Sequence, residues 1–88
     1  MIDIILIKIN SKIFSVKCKL KFDEDETVFV KIIGLDQVQP ISSSSVIKIK
    51  TVFESEGGSI LSKIKYPYIY NEVIKKLIQK YRMKVINI

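Results

Sequence analysis

The sequence predicts an α+β fold in a single domain, residues 1–88: mainly antiparallel β, with two hairpins, a middle strand and one C-terminal amphipathic helix. In Ile13–Phe22, apolar side chains alternate with lysines and a serine, the period of a strand with one buried and one wet face. Gly57-Gly58 separates two further alternating segments and suits a tight hairpin turn. After Pro67 the apolar spacing becomes helical. Together these features predict a small barrel or curled sheet, aliphatic inside and lysine-lined outside.

The composition is that of a globular, strand-rich protein. Hydrophobic residues make up 48% and charged residues 27% of the chain, which excludes a disordered protein. Isoleucine supplies 18 residues and alanine none, a bias toward β-branched side chains and therefore toward strands. High Ile and Lys content without His or Trp is similar to the composition of proteins from hyperthermophilic archaea or their viruses.

The net charge of +6 and the pI near 9.5 favour anionic partners, such as nucleic acid or an acidic protein surface. The alternative is that lysines only keep an isoleucine-rich sheet soluble.

The single cysteine, Cys18, alternates with the apolar residues that form the buried face of its strand, so it is expected in the core. The N-terminus carries Asp3 and lacks a basic signal-peptide region, and no apolar run approaches the roughly 20 residues of a membrane span. We therefore expect a cytoplasmic protein.

The first hairpin joins the aliphatic segment Ile2–Ile9 to Ile13–Phe22 through a two-residue turn, at Asn10-Ser11 or at Ser11-Lys12. Either turn places the same residues on one face, and these are Ile5, Ile7, Ile9, Phe14, Val16 and Cys18. The other face then carries a second apolar set beside Lys17 and Lys19. That set is Ile2, Ile4 and Leu6, and the hairpin itself offers it no cover.

The middle of the chain is predicted as a turn, a strand and a long loop. Asp23–Glu26 is an acidic turn, and four consecutive carboxylates without an intervening glycine cannot converge on one metal ion. Thr27–Leu35 is the third strand, in which Gly34 marks either the end or a bulge. Asp36–Ser45 contains Pro40 and four consecutive serines but lacks the glycines and lysine of a phosphate-binding loop, so flexibility is its expected property.

The second hairpin is predicted to pair Val46–Glu54 with Ser59–Tyr66 across the Gly57-Gly58 turn. In this register Lys50 lies directly opposite Lys65. Four lysines share that face: Lys48, Lys50, Lys63 and Lys65. Like charges directly opposite each other destabilise a sheet, so this arrangement indicates that the lysines bind an anionic ligand. The alternative is that these lysines block edge-to-edge aggregation of the sheet.

The C-terminal helix is predicted from Tyr68 to about Arg82, with Pro67 in its first turn. Its apolar residues cover about half of the circumference, wider than the roughly 100° stripe of an ordinary surface helix. Lys84–Ile88 alternates again and is either a short terminal strand or a disordered tail.

The residues offer little catalytic chemistry. Without His, catalytic triads and imidazole acid–base catalysis are excluded, and one Cys cannot build a structural zinc site. Glu54 and Glu56 near a lysine are a conceivable carboxylate nuclease site, but they flank a turn where acidic residues are common. We therefore predict a protein that is not an enzyme, with no catalytic residue, metal site or cofactor.

The candidate binding residues form two groups. The nucleic-acid-binding candidates are Lys17, Lys19, Lys21, Lys48, Lys50, Lys63 and Lys65. The partner-interface candidates are Ile2, Ile4, Leu6, Tyr70, Ile74 and Ile78. One small core covers one face of each element, so the remaining apolar surface predicts association with a protein partner or with itself. The alternative is that the helix lies across Ile2, Ile4 and Leu6 and buries both sets within one chain.

One stretch carries a family resemblance: Phe53-Glu54-Ser55-Glu56-Gly57-Gly58, then Ser59–Tyr66, then Pro67 leading into a helix that ends Lys-Lys-Leu-Ile-Gln-Lys-Tyr. With the predicted order of elements it resembles the small basic chromatin proteins of hyperthermophilic archaea, which are SH3-like barrels with an appended helix. Those proteins bind the DNA minor groove with a sheet that bears a Trp and apolar wedges. This chain has no Trp and offers lysines with Val46 and Val52, so the resemblance implies phosphate contact without wedge-driven kinking.

Size, charge and composition are also similar to those of the small accessory subunits of archaeal family-B replicative DNA polymerases. We expect an accessory subunit of a nucleic-acid-processing machine, for example in DNA replication, with lysines on phosphates and apolar surface on a protein partner. The alternatives are a free-standing double-stranded DNA-binding chromatin protein, and a protein-interaction module or viral inhibitor that binds no nucleic acid.

Overall fold

Four strands form one curled, mixed sheet, and a helix packs on one side of it. The computed structural model describes residues 1–9, 11–38, 51, 53–55, 57, 64 and 66–87. The elements are β1 (Ile2–Ile9), β2 (Lys12–Phe22), β3 (Thr27–Gln37), α1 (Pro67–Tyr81) and β4 (Lys84–Asn87). The strand order is β1-β2-β3-β4, with β4 parallel to β3 and the other two pairs antiparallel. The predicted α+β class, mostly strand with a C-terminal helix, is confirmed.

The hairpin of β1 and β2 has the predicted buried face, and its register is one of the two that were left open. Ile9 pairs with Lys12, so two residues connect the strands, and Ser11 has the positive φ (65°) of a tight hairpin turn. Ile5 pairs with Val16 and Ile7 with Phe14, and all four side chains are buried. The alternation of apolar and polar residues therefore did specify which face enters the core.

The acidic turn between β2 and β3 is held by its first residue. Asp23 Oδ1 accepts hydrogen bonds from the backbone N–H groups of Asp25 and Thr27, both 3.0 Å long, and Glu26 has a positive φ of 58°. A side-chain carboxylate that bonds the backbone two residues on is a common way to close a turn. Asp23–Glu26 are all exposed, as predicted for this segment.

Strand β3 continues two residues past its predicted end because Gly34 lies at a bulge. Lys17 pairs with Gly34 while Cys18 pairs with Ile32, so Ile33 is the extra residue. This bulge was one of the two interpretations of Gly34.

The core lies between the sheet and α1. The helix contributes Ile69, Val73 and Leu77, and it contacts β1 and β4. Phe53, 1% exposed, belongs to the same core. The remaining buried apolar side chains come from the first three strands: Ile5, Ile7, Phe14, Val16, Cys18, Leu20, Val28, Val30, Ile32 and Leu35.

The predicted C-terminal helix is followed by a short strand, β4. Pro67 occupies the first turn of α1, and Arg82 ends the helix in the left-handed region (φ 53°), where its N–H bonds the Ile78 carbonyl at 2.7 Å. Of the two alternatives for the terminal segment, the strand is the one observed. In the part of the chain that is described, no helix has the length and apolar character needed to cross a bilayer.

The second predicted hairpin is wrong wherever the structure describes it. Thr51, Phe53, Glu54 and Ser55 are helical, and so is Ile64; the other residues of Val46–Glu54 and Ser59–Tyr66, except Tyr66, lie outside the described residues. The apolar pairs Ile49–Phe53 and Ile60–Ile64 are each four residues apart, a spacing that fits a helical period as well as a strand period. Gly57 does have the expected positive φ (77°), and its N–H bonds the Glu54 carbonyl at 3.2 Å.

Candidate nucleic-acid interface

The sheet face turned away from α1, here called the outer face, combines lysines with apolar side chains. Its residues follow from the strand pairing, since side chains of opposite parity to the core residues lie on it. They include Ile2, Ile4, Leu6 and Lys8 on β1, Ile13, Ser15, Lys17, Lys19 and Lys21 on β2, Phe29, Lys31 and Asp36 on β3, and Lys84 and Ile86 on β4.

Lysines occupy the centre of the outer face. Lys19 of β2 pairs directly with Lys31 of β3, and both are exposed. Lys17 and Lys21 lie two residues along β2 on either side of Lys19, and they are exposed as well. Like charges directly opposite each other on neighbouring strands destabilise a sheet. The sheet therefore places positive charges together at the expense of its own stability.

Carboxylates lie only at the two ends of this positive region, as far as the described strands show. Asp36 pairs with Ser15 at one end, and the acidic turn Asp23–Glu26 follows β2 at the other. Asp3, the carboxylate that forms an ion pair with Lys80, is on the core face and not on the outer face. The positive potential is therefore strongest across the middle of the sheet, on the line from Lys19 to Lys31.

The apolar part of the outer face is the row on β1. Ile2, Ile4 and Leu6 are 53%, 57% and 56% exposed. They lie beside the lysines, since Ile2 pairs with Lys19 and Ile4 with Lys17. The alternative that the helix buries these three residues is wrong, because α1 packs through its own buried residues on the opposite face of the sheet.

The predicted partner-interface residues are divided between two faces of the molecule. Ile2, Ile4 and Leu6 lie on the outer face, whereas Tyr70, Ile74 and Ile78 belong to α1. Tyr70 and Ile74 are half-buried and pack against the core, and Ile78 is 45% exposed. The structure thus does not bring these six residues together in one surface, and β1 offers the more exposed apolar row.

The predicted lysine sites are also divided. Lys17, Lys19 and Lys21 form the β2 row, but the other four lie outside the described residues: Lys48, Lys50, Lys63 and Lys65. The single face predicted for those four depended on the second hairpin, in which Thr51, Phe53 and Ile64 are helical instead. Of the conceivable nuclease carboxylates, Glu54 is exposed and Glu56 lies outside the described residues. No group of three or more potential metal ligands occurs in the part of the chain that is described.

Several outer-face residues were not among the predicted candidates, including Phe29, Lys31 and Lys84. Phe29 and Lys31 share the parity opposite to Val28 and Val30, so a register drawn across the Asp23–Glu26 turn would have found them. Lys84 had no comparable signal, because its position depends on the parallel pairing of β4 after a helical crossover.

Comparison of the chain with protein-family models, with curated proteins and with solved structures finds no match. Inferences about its role therefore start from the charge and geometry of the outer face.

Proposed function

We propose that this protein is a small, basic, non-enzymatic accessory subunit of a nucleic-acid-processing machine, for example in DNA replication. It contacts phosphates through the lysines of the outer face. It contacts a larger protein partner through the apolar row of Ile2, Ile4 and Leu6. The observation that carries the proposal is the directly opposed pair Lys19–Lys31, flanked on β2 by Lys17 and Lys21.

This arrangement has a physical consequence for anion binding. A phosphate placed between two opposed ammonium groups replaces their repulsion with two attractions, so binding relieves a cost present in the free protein. Each phosphate that is neutralised also releases condensed counterions from the nucleic acid. Affinity should therefore fall steeply as the salt concentration rises.

The exposed row on β1 favours a subunit over a free-standing DNA-binding protein. Three large aliphatic side chains, each more than half exposed, lie on one strand with lysines on the next. An apolar centre with a polar rim is the usual anatomy of a protein interface.

The proposal is tested by replacing charge at the centre of the outer face. Binding of a labelled oligonucleotide is measured between about 50 and 200 mM salt for the wild type and for Lys19→Gln/Lys31→Gln. The matched control is Lys75→Gln/Lys76→Gln, which removes the same charge from exposed positions of α1.

The outer-face variant should lose about 0.7 to 0.9 from the slope of log affinity against log salt, which is the contribution of the one phosphate that Lys19 and Lys31 share. The control should lose little. Without nucleic acid, the outer-face variant should melt at a higher temperature than the wild type, because the opposed charges are gone. Equal losses in the two double variants, or no salt-dependent binding by the wild type, would contradict the proposal.

A further inference from the structure

We infer that the outer face binds single-stranded nucleic acid, with one base stacked on Phe29. The inference rests on the proposed function and narrows its ligand. It depends on the width of the sheet and on the surroundings of this one aromatic ring.

The sheet that carries the lysines is too wide to enter a groove of undeformed B-DNA. Sheets that do bind in the minor groove bend the duplex and insert apolar wedges between its bases. Four strands about 4.8 Å apart span roughly 14 Å between the axes of the outer two, before any side chain is added. The major groove is about 12 Å wide and admits a helix or a two-stranded ribbon. Lys19 and Lys31 lie on the two central strands, β2 and β3. An undeformed duplex would contact them with its phosphates alone, whereas a single-stranded nucleic acid can lie flat across the sheet.

Phe29 lies next to the lysines, where it can contact a base of a single-stranded nucleic acid bound to them. On the outer face it is flanked by Lys21 of β2 and Ile86 of β4, and its ring is partly exposed. The neighbouring row across the sheet is Lys19 and Lys31, so phosphate contacts and an aromatic surface are adjacent. A base in a duplex is already stacked on both faces, but an unpaired base can stack on an aromatic side chain whatever its sequence.

The charges on the outer face indicate the direction in which the nucleic acid lies across the sheet. Carboxylates flank the lysines at both ends of β2 and β3, at Asp36 and at the acidic turn. A nucleic acid that followed β2 along its length would approach these carboxylates. A nucleic acid that crosses from β2 to β3 instead contacts Lys19 and Lys31 and stays between the acidic ends.

Phe22 provides a matched control. It is 39% exposed, but it has the parity of the core residues, and its ring packs edge-to-face on Tyr81 with the centroids 5.3 Å apart. A change at Phe22 therefore alters a solvent-accessible aromatic residue that is not on the outer face.

The test compares oligo(dT), oligo(U) and a duplex DNA, each about 15 nucleotides or base pairs long, at one salt concentration. The wild type should bind the single strands at least about tenfold more tightly than the duplex, because only they offer a base to stack. Phe29→Leu should lose about 5- to 100-fold in affinity for oligo(dT), the size of one base–aromatic stack, and little for duplex. Phe29→Tyr should retain the preference, and Phe22→Leu should leave it unchanged. Thermal melting of each variant identifies losses that come from misfolding.

A second measurement reports stacking directly. The chain contains no Trp, so Phe29→Trp introduces a single fluorophore at the site. Oligo(dT) should quench this fluorescence, and inorganic polyphosphate, which offers charge without bases, should not. Equal affinity for single strand and duplex, an unaffected Phe29→Leu variant, or quenching by polyphosphate alone would overturn this inference while leaving the proposed function intact. Absence of salt-dependent binding to any of the three ligands would overturn both.

Discussion

Lys80 and Asp3 form an ion pair, 2.7 Å long, that ties the last turn of α1 to the first strand of the sheet. Asp3 is only 14% exposed and lies on the core face, where its carboxylate also accepts hydrogen bonds from the Tyr81 hydroxyl and the Ile4 N–H. The ring of Tyr81 packs in turn on Phe22 of β2. A polar contact thus closes one edge of the core.

The first prediction concerns acid stability. Burial raises the pKa of the Asp3 carboxyl, but hydrogen bonds from Lys80, Tyr81 and Ile4, together with the charge of Lys80, outweigh it, so the pKa lies below 3.8. A carboxyl with a lowered pKa in the folded state stabilises the protein above its unfolded-state pKa. This contribution is lost as the pH falls through the folded-state value.

Asp3→Asn should therefore lower the free energy of unfolding by about 1–2 kcal/mol at about pH 7. The difference from the wild type should shrink as the pH falls through the folded-state pKa of Asp3, because the wild-type carboxyl then becomes protonated as well. Denaturant unfolding at several pH values measures this, with Glu24→Gln in the exposed turn as the control. A deficit in Asp3→Asn that stays constant with pH would contradict the role of the ionised carboxylate.

The second prediction concerns thiol chemistry. Cys18 is fully buried, and burial together with the nearby charge of Asp3 raises the pKa of its thiol to about 12. Because the thiolate is the reactive form, Cys18 of the folded protein should be modified by iodoacetamide at about pH 8 at least about 100-fold more slowly than in urea. The control is Lys17→Cys in a Cys18→Ala background, which places a thiol on the exposed face of the same strand. Equal rates for the two cysteines in the folded proteins would contradict the prediction.

The third prediction concerns Gly34 at the bulge. A Cβ added at Gly34 would lie 3.3 Å from the Cβ of Lys17, which is fixed to the backbone of a central strand. Gly34→Val should lower the free energy of unfolding by about 1–3 kcal/mol because the two side chains would be overpacked. Lys31→Val, at an exposed position of the same strand, should not lower it, because this change also removes the repulsion from Lys19.

The same contact can be isolated by a second substitution. Lys17→Gly removes the Cβ that crowds position 34, so its effect and that of Gly34→Val should be less than additive by at least about 0.5 kcal/mol. Chemical denaturation of the four proteins in this cycle measures the coupling. Full additivity would show that the space beside Gly34 is not limiting.

The β1–β2 hairpin was predictable because two independent signals agreed. The alternation in Ile13–Phe22 identified the buried face, and either of the two possible two-residue turns places Ile2 and Ile4 on the same face as lysines. The helical state at Phe53 was not predictable by the same reasoning, because four-residue spacings fit both periods. Tertiary contacts resolved the ambiguity, since Phe53 is buried in the core.

The candidate site was predictable only in part. Lys17, Lys19 and Lys21 followed from the alternation, and Lys31 would have followed from the register of β3. Asp3 also had a signal, because a carboxylate on a core parity requires a partner. No signal in the sequence identified that partner, since Lys80 is 77 residues away and its position depends on how α1 crosses the sheet.

The last prediction uses two adjacent isoleucines of β1 that face opposite sides of the sheet. Ile4 is 57% exposed on the outer face, whereas Ile5 is 5% exposed in the core. Ile4→Glu should change the free energy of unfolding by no more than about 0.5 kcal/mol, because the new carboxylate stays in water opposite Lys17. Ile5→Glu should unfold the chain, because it buries an unpaired carboxylate. Chemical denaturation and circular dichroism measure both effects.

The same pair tests the docking row. Wild type and Ile4→Glu are used as baits in lysate of the source cells, and proteins retained at matched bait concentration are compared by mass spectrometry. Sedimentation of each protein alone reports self-association. A partner or a second copy that docks on Ile2, Ile4 and Leu6 should be lost with Ile4→Glu, because its apolar contact would then bury a charge. If Ile4→Glu retains every associate of the wild type while remaining folded, the row on β1 is not the docking surface.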